Sequence, residues 1–196
     1  DHIAGLKALA AATGARVLGA AADSHRLPRL DEALREGDVV RIGMDEGKVI
    51  AVPGHTLGHI ANHFPDSGLL FTGDSHMALG CGRVFEGTMP QMWESLSKLA
   101  VLPPGTLVCS GHEYTLSNAR FALTVEPENA ALQTRAAAVA AARAEGRPTV
   151  PSRLSEELAT NPFLRAGQPD VKRAMGMEAA SDAEVFAAIR SAKDRF

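Results

Sequence analysis

The sequence predicts an α/β protein with a strand-rich front half and a helical back half. Up to about residue 112, short apolar runs alternate with turns that contain Gly and Asp, which is typical of short β-strands. From about residue 115 the apolar residues recur instead at helical spacing. We therefore divide the chain into an α/β domain over residues 1–114 and a helical domain over residues 115–196.

The front half is expected to open with a helix. Ile3, Leu6 and Leu9 recur at helical spacing, and Gly14 stands where that helix would end. Strands are expected over residues 15–21, 38–43, 48–53, 59–64, 68–73 and 106–112. A helix over residues 88–102 interrupts them, because Thr88 and Gln91 form a capping-box pattern at its start.

The back half consists of helices joined by short links. An Ala-rich run ends at Gly146, and a Pro-bounded link over residues 147–152 follows it. The last helix is expected to start at Ser181, because Glu184 three residues later completes a second capping box.

Composition narrows the possible functions. A chain of 196 residues that is 45% hydrophobic can bury a core, and no apolar run approaches the roughly 18 residues of a membrane span. A net charge of -3 gives no electrostatic reason to expect nucleic acid or an anionic membrane as partner. Cys81 and Cys109 are too few for a disulfide framework, so we expect a reduced, cytoplasmic setting. We also favour a monomer.

Three polar side chains each follow a predicted strand beside a glycine. His55 lies in VPGHTLGH, Asp74 in FTGDSH and His112 in CSGHEYT. Residues at strand ends tend to converge at one rim of a sheet, where α/β proteins place their sites. The alternative is that they are three unrelated turn residues. Asp1 and His2 add a carboxylate and an imidazole, a donor set that suits Zn, Fe or Mn, and Asp74 could bridge two ions.

Several longer segments carry a specific resemblance that spans the chain. They are DHIAG, GHTLGH, FTGD, CGRVFEGT, GHEYT, PTVPS, NPFLR and RSAKDRF. With these segments the sequence resembles glyoxalase II, the hydroxyacylglutathione hydrolase family of the metallo-β-lactamase superfamily. The resemblance implies a metallo-β-lactamase αββα sandwich with its first strands missing, followed by a C-terminal helical domain that binds glutathione.

The resemblance also implies metal ligands. Residues matching Asp1, His2 and His112 hold one metal, His55 belongs to the other, and Asp74 bridges both, so Asp74, His55 and His112 are the expected catalytic residues. Two further His would precede Asp1 in the family motif. We therefore expect the chain to begin inside that motif and to be inactive as written. His59 is expected to support the ligands, His25 and His63 to be solvated, and His76 has no assigned role.

The expected substrate contacts are Arg83, Phe85, Tyr114, Arg190 and Lys193. Fixed cations and hydroxyl groups suit the carboxylates of glutathione. Phe85 stands where other members have Tyr, so one hydroxyl contact is missing. Without the resemblance, Arg190 and Lys193 would be read as partners of a helix dipole.

The implied activity is hydrolysis of S-D-lactoylglutathione to D-lactate and glutathione, in methylglyoxal detoxification, by a metal-bridging hydroxide. Two divalent ions are expected, with Zn first and Fe or Mn as alternatives. Two other functions stay open: a glutathione-persulfide dioxygenase with a single iron, and a non-catalytic member of the superfamily. The helical C-terminal half argues against the first, and the presence of Asp74 and His112 argues against the second.

Overall fold

The structure is a computed structural model and describes residues 2–196. The chain starts with α1 (Leu6–Thr13), which ends at Gly14 in a left-handed conformation, φ 68°. The strands follow in chain order as β1 (Leu18–Ala20), β2 (Glu32–Leu34), β3 (Val39–Ile42), β4 (Asp45–Ala51), β5 (Ile60–Phe64), β6 (Leu69–Gly73), β7 (His76–Met77), β8 (Gly80–Cys81), β9 (Leu107–Ser110) and β10 (Ser152–Arg153). The further helices are α2 (Met89–Ala100), α3 (Thr115–Val125), α4 (Ala130–Ala144), α5 (Leu154–Thr160), α6 (Pro169–Ala174) and α7 (Asp182–Arg195).

Six of the strands form one sheet in the order β10-β9-β6-β5-β4-β3. Strands β3 to β6 are an antiparallel meander, and β9 joins β6 in parallel. Because β4 and β6 both run antiparallel to β5, the strands β4, β6 and β9 point the same way. Their C-terminal ends therefore lie along one edge of the sheet.

The two faces of this sheet are covered differently. On one face, Ala61, Leu70 and Val108 pack with Leu99 of α2 and Leu154 of α5 in a buried apolar cluster. On the other face, Phe64 packs with Leu34 of β2, and a groove of about 820 Å³ runs between the sheet and the parallel pair β1–β2. Phe71 lies in this groove and is 41% exposed.

The helical region has a core of its own. Phe163, Phe186 and Ile189 are fully buried there and pack against Met92 and Leu96 of α2. The region also contributes β10 to the sheet, where Ser152 pairs with Val108. The division of the chain after residue 114 stays a prediction.

In the described part of the chain, no helix is long and apolar enough to cross a membrane.

Most sequence expectations for the elements are confirmed. Both expected capping boxes are present, since the Thr88 and Ser181 hydroxyls accept the backbone N–H groups of Gln91 and Glu184. The strand expected over residues 15–21 shrinks to three residues. The expectation for His63 is wrong: this side chain is only 7% exposed, because the alternation of β5 points it, with Ala61, toward the face that the helices cover. Burial also lowers the pKa of His63.

Candidate metal centre

Three loops at the same sheet edge bring the predicted ligands together. His55 follows β4, Asp74 follows β6 directly, and His112 follows β9. The backbone N–H of Gly111 donates to the Gly73 carbonyl at 2.8 Å, which ties the end of β9 to the end of β6. The predicted convergence of the three side chains is therefore observed.

One oxygen of Asp74 is the geometric centre of the cluster. The Nε2 atoms of His2, His112 and His55 lie 3.1, 3.4 and 3.5 Å from Asp74 Oδ2. The rings of His2 and His112 meet edge to face, with centroids 4.9 Å apart. Residue Asp1, also predicted as a ligand, lies outside the described residues.

A backbone carbonyl orients His55. Its Nδ1 lies 2.8 Å from the Arg83 carbonyl oxygen, so Nδ1 carries the proton and donates, while Nε2 faces Asp74 with a lone pair. The ring of Phe85 lies against His55 with centroids 5.1 Å apart. This arrangement leaves His55 in the tautomer that can bind a metal through Nε2.

The loops can approach this closely only at glycines. A Cβ on Gly73, which has φ 51°, would lie 2.6 Å from His59 Nε2. A Cβ on Gly111 would lie 2.6 Å from Asp74 Oδ1 and 2.8 Å from His2 Cε1. Any side chain at Gly111 would therefore occupy the space between two of the candidate ligands.

His59 lies beside the cluster, as predicted for a supporting residue. Its ring centroid is 5.8 Å from that of His55. Burial, together with the neighbouring His55, lowers the pKa of His59 to about 4, so the ring is neutral at pH 7. A neutral imidazole adds no positive charge next to the cluster.

The described residues fit a divalent metal ion. The ligand atoms of His2, Asp74 and His112 lie within 4.8 Å of one another. Asp74 is buried, and among the described residues its Oδ1 has no hydrogen-bond partner, which leaves that oxygen available as a ligand. Imidazole and carboxylate donors of this kind suit Zn, Fe and Mn.

A cleft of about 650 Å³ opens over this cluster. It is lined by His55, Asp74 and His112 together with all five predicted substrate contacts, Arg83, Phe85, Tyr114, Arg190 and Lys193. Tyr114 stacks on His112, with centroids 4.8 Å apart and ring planes 10° apart. The predicted ligands and the predicted substrate contacts thus share one cavity.

The two predicted cations of α7 differ in their surroundings. Arg190 is 3% exposed: its guanidinium donates to the Cys81 carbonyl at 2.8 Å and to Asp194 at 3.1 Å, and it lies 5.0 Å from the Phe163 ring centre. Lys193 lies nearer the solvent, where Nζ donates to the Ser117 carbonyl and hydroxyl oxygens at 3.3 and 3.2 Å. Of the two, Lys193 is the more accessible to a ligand in the cleft.

Sequence reasoning missed several residues of the cleft, namely Met77, Ser117, Asn118, Asp194 and Phe196. Asp194 lies 3.6 Å from Arg83 as well as 3.1 Å from Arg190, so it holds two of the predicted cations. Its position four residues after Arg190 on a helix was a signal for that ion pair. The other four carried no local signal.

Two family models divide the chain between them. Residues 1–112 match the metallo-beta-lactamase superfamily, and residues 113–196 match the hydroxyacylglutathione hydrolase C-terminus. Proteins named hydroxyacylglutathione hydrolase from Cereibacter sphaeroides, Jannaschia sp. and Ruegeria pomeroyi are 67%, 64% and 61% identical over this whole chain, which covers 77% of each relative.

Solved structures agree on the fold. BLEG-1, a B3 metallo-beta-lactamase, aligns with a TM-score of 0.60 at 20% identity, covering 84% of this chain and 72% of that one. ETHE1 from Myxococcus xanthus aligns with a TM-score of 0.59 at 26% identity, covering 96% of this chain and 69% of that one. Family models, relatives and fold together place the chain in the hydroxyacylglutathione hydrolase family of the metallo-beta-lactamase superfamily.

Proposed function

We propose that this chain is a metal-dependent thioester hydrolase that converts S-D-lactoylglutathione to D-lactate and glutathione, the hydrolytic step of methylglyoxal detoxification. One observation carries the proposal: three imidazole nitrogens lie within 3.5 Å of a single Asp74 oxygen, and Asp74 lines a cleft that also contains Arg83 and Lys193. The name of the close relatives supports the same substrate class.

The residues proposed to hold the metals are His2, Asp74 and His112 for one ion and His55 with Asp74 for the other. Asp1, which lies outside the described residues, is proposed as a further ligand of the first ion. When bound, the ions supply Lewis acidity to the thioester carbonyl and to the attacking water. We propose Zn²⁺ as the resident metal, with Fe²⁺ and Mn²⁺ as the alternatives that this donor set allows.

The cleft residues bind and orient the thioester. Lys193 and Arg83 are the cations for the glutathione carboxylates, and Tyr114 supplies a hydroxyl donor beside His112. The Phe85 ring lies against His55 and the Tyr114 ring stacks on His112, so an aromatic ring lies beside each of these two ligands. In the reaction a water oxygen forms the new C–O bond, the C–S bond breaks, and a water proton passes to the leaving thiolate.

The test uses the encoded protein, meaning the full product of the gene and not residues 1–196 alone, purified and assayed without oxygen. We expect loss of the thioester absorbance of S-D-lactoylglutathione with release of one thiol per thioester, and two metal ions per chain by elemental analysis. Chelation followed by separate reloading with Zn²⁺, Fe²⁺ or Mn²⁺ identifies the metal. A protein with metal that consumes oxygen with glutathione persulfide but leaves the thioester intact would support the dioxygenase instead, and a protein with neither metal nor turnover would support a non-catalytic role.

A further inference from the structure

A carboxylate without access to solvent lies in the helical region below the cleft. Glu157 of α5 is 0% exposed. Its Oε2 accepts the Leu79 backbone N–H at 2.8 Å and the Asn161 amide N–H at 3.0 Å, and lies 3.6 Å from His76 Nε2. Its Oε1 accepts a hydrogen bond from the Arg135 guanidinium of α4.

The partner of this carboxylate is a tight hairpin. Strands β7 and β8 pair antiparallel, with His76 opposite Cys81. At the turn between them Leu79 has φ 56°, a left-handed conformation that costs free energy in any residue with a Cβ. A leucine keeps this conformation only where its surroundings fix it, and the Leu79 N–H is the group that Glu157 binds.

The carbonyls of the hairpin are held from the same side. Asn161 Nδ2 donates to the Gly80 carbonyl at 3.0 Å and to the Met77 carbonyl at 3.3 Å, and Asn118 Nδ2 donates to the Ala78 carbonyl at 3.0 Å. The backbone of this turn is thus bound by side chains of α3 and α5 and of the residue that follows α5. A buried ion pair such as Glu157–Arg135 adds little net stability by itself. Stability therefore does not explain why Glu157 is buried here, whereas its hydrogen bond to the hairpin does.

The hairpin is in direct contact with the segments that position two candidate ligands, Asp74 and His55. Asp74 comes just before it, and the Thr72 hydroxyl donates to the His76 carbonyl at 2.7 Å. After the hairpin, the Gly82 backbone packs so closely on Asp74 that a Cβ there would lie 2.1 Å from the Asp74 carbonyl oxygen. The next residue is Arg83, whose carbonyl orients His55.

We propose that Glu157 is a positioning residue for the metal centre: it fixes the turn at Leu79, and through the hairpin of residues 76–81 it sets the orientation of Asp74 and His55. The inference rests on the proposed function, because it concerns the same metal-binding side chains. Among the described residues, the polar partners of Glu157 are neither candidate ligands nor residues that line the cleft, so its effect is exerted through the backbone.

The experiment compares E157Q with E126Q in the encoded protein. Glu126 is a matched control, because it is also a buried carboxylate (6% exposed) bound by a guanidinium, that of Arg165. Among the described residues its side chain bonds to Arg165 and Asn129 and not to the hairpin. For each variant, thermal stability, Zn²⁺ dissociation constants by competition with a chromophoric chelator, and the visible spectrum of the Co²⁺-loaded protein are measured.

We expect E157Q to weaken Zn²⁺ binding by about tenfold or more, as removal of a group that orients metal ligands typically does, and to change the Co²⁺ spectrum. E126Q should lose stability but keep the affinity and the spectrum of wild type. A folded E157Q with wild-type affinity and spectrum overturns the inference, and so does an E126Q that weakens Zn²⁺ binding equally.

If E157Q does not fold, Asn118→Ala decides, because it removes the hydrogen bond to the Ala78 carbonyl in the same hairpin. Weakened Zn²⁺ binding in folded N118A supports the inference, and unchanged binding overturns it. Wild type measured in parallel separates the two proposals: wild type that binds no Zn²⁺ overturns the proposed function itself, whereas wild type that binds Zn²⁺ beside an unaffected variant overturns only the role of Glu157.

Discussion

Asp74 Oδ2 is the single atom that the three described imidazoles of the candidate metal centre share. Three imidazole nitrogens surround this carboxylate oxygen, and His55, whose Nδ1 donates to the Arg83 carbonyl, turns the lone pair of its Nε2 toward it. The same arrangement suits a bridging ligand, whose two oxygens can each face an ion. Asp74 is therefore the side chain whose loss should matter most.

We expect Asp74→Ala to lose metal at both sites and at least about a thousandfold in turnover, because metal stabilisation of the transition state is worth several kcal/mol. Asp66→Ala is the control, since Asp66 is an exposed turn aspartate away from the cluster. Metal analysis and thioester hydrolysis of both variants provide the measurement. Two metals per chain with near-normal turnover in Asp74→Ala would make Asp74 a turn residue.

Lys193→Ala should raise KM for the glutathione thioester by about tenfold with a smaller change in kcat, because a hydrogen bond to a charged group contributes about 1.5–3 kcal/mol to binding. The contact is remote from the reacting carbonyl, so it acts on ground state and transition state alike. Arg195→Ala is the matched control, since Arg195 is an exposed cation on the same helix. Equal effects of the two variants would indicate a role in the helix dipole.

Arg190→Ala should behave differently from Lys193→Ala. Its guanidinium is buried and bound to the Cys81 carbonyl, so its removal leaves a buried acceptor unpaired, which costs about 1–3 kcal/mol of folding stability. The free energy of unfolding of Arg190→Ala should drop by this amount, while Lys193→Ala stays near wild type. A denaturant titration of both variants makes the comparison, and a fully stable Arg190→Ala would contradict it.

At the scale of elements, local signals were sufficient wherever a cap or a turn residue ended a segment. Two capping boxes mark helix starts, one formed by Thr88 and Gln91 and the other by Ser181 and Glu184. Each box involves side chains and backbone groups within a stretch of four residues, so the local sequence is enough to predict it. The strands before His55, Asp74 and His112 were predictable from local sequence as well, because turns that contain Gly and Asp delimit them.

What failed at this scale depends on distant contacts. The pairing of β10 with β9 joins residues about 45 positions apart through only two residue pairs, and no periodicity can be read from two residues. His63 and Glu157 are polar in sequence but buried in the fold, because the helices that cover them come from elsewhere in the chain. Burial of a polar residue depends on tertiary contacts, and no periodic pattern in the sequence predicts it.

The contact between α5, α4 and the hairpin also predicts a dependence of stability on pH. Burial favours the neutral acid of Glu157, but the nearby His76 imidazole and the Arg135 guanidinium outweigh it and lower the pKa of Glu157 to about 2. A lowered carboxyl pKa gives stability that is present above the ordinary pKa of 4.5 and is lost as pH falls toward 2. Wild type should therefore lose stability over this window more steeply than E157Q, as thermal melts between these pH values can measure; parallel curves would contradict the assignment.

At the scale of the whole molecule, the candidate metal centre joins the N-terminal segment to two strands of the sheet. His2 precedes α1, whereas Asp74 and His112 follow β6 and β9. A metal bound by all three favours the folded state over the unfolded chain, in which these residues are far apart.

Removal of the metal should therefore lower the melting temperature. Metal at a concentration of 100 times its dissociation constant stabilises a folded protein by about 2.7 kcal/mol, which corresponds to about 5–10 °C for a chain of this size. Scanning calorimetry with and without a chelator tests this, and Asp74→Ala should not respond to the chelator. Identical melts of wild type in both conditions would contradict the prediction.

The parallel pairing of β6 and β9 also determines when the site can form during synthesis. A ribosome delivers the chain from its N-terminus, and Asp74 emerges well before β9 and His112. The segment that contains α2 connects β6 to β9, so it must be synthesised before the two strands can pair. Glu157, β10 and Asn161 emerge later still. Pairings between distant segments form late in folding because their loop must close first. Metal capture by the nascent chain should therefore wait until translation has passed Asn161, and in refolding experiments metal uptake should report the last stage of assembly rather than the first collapse.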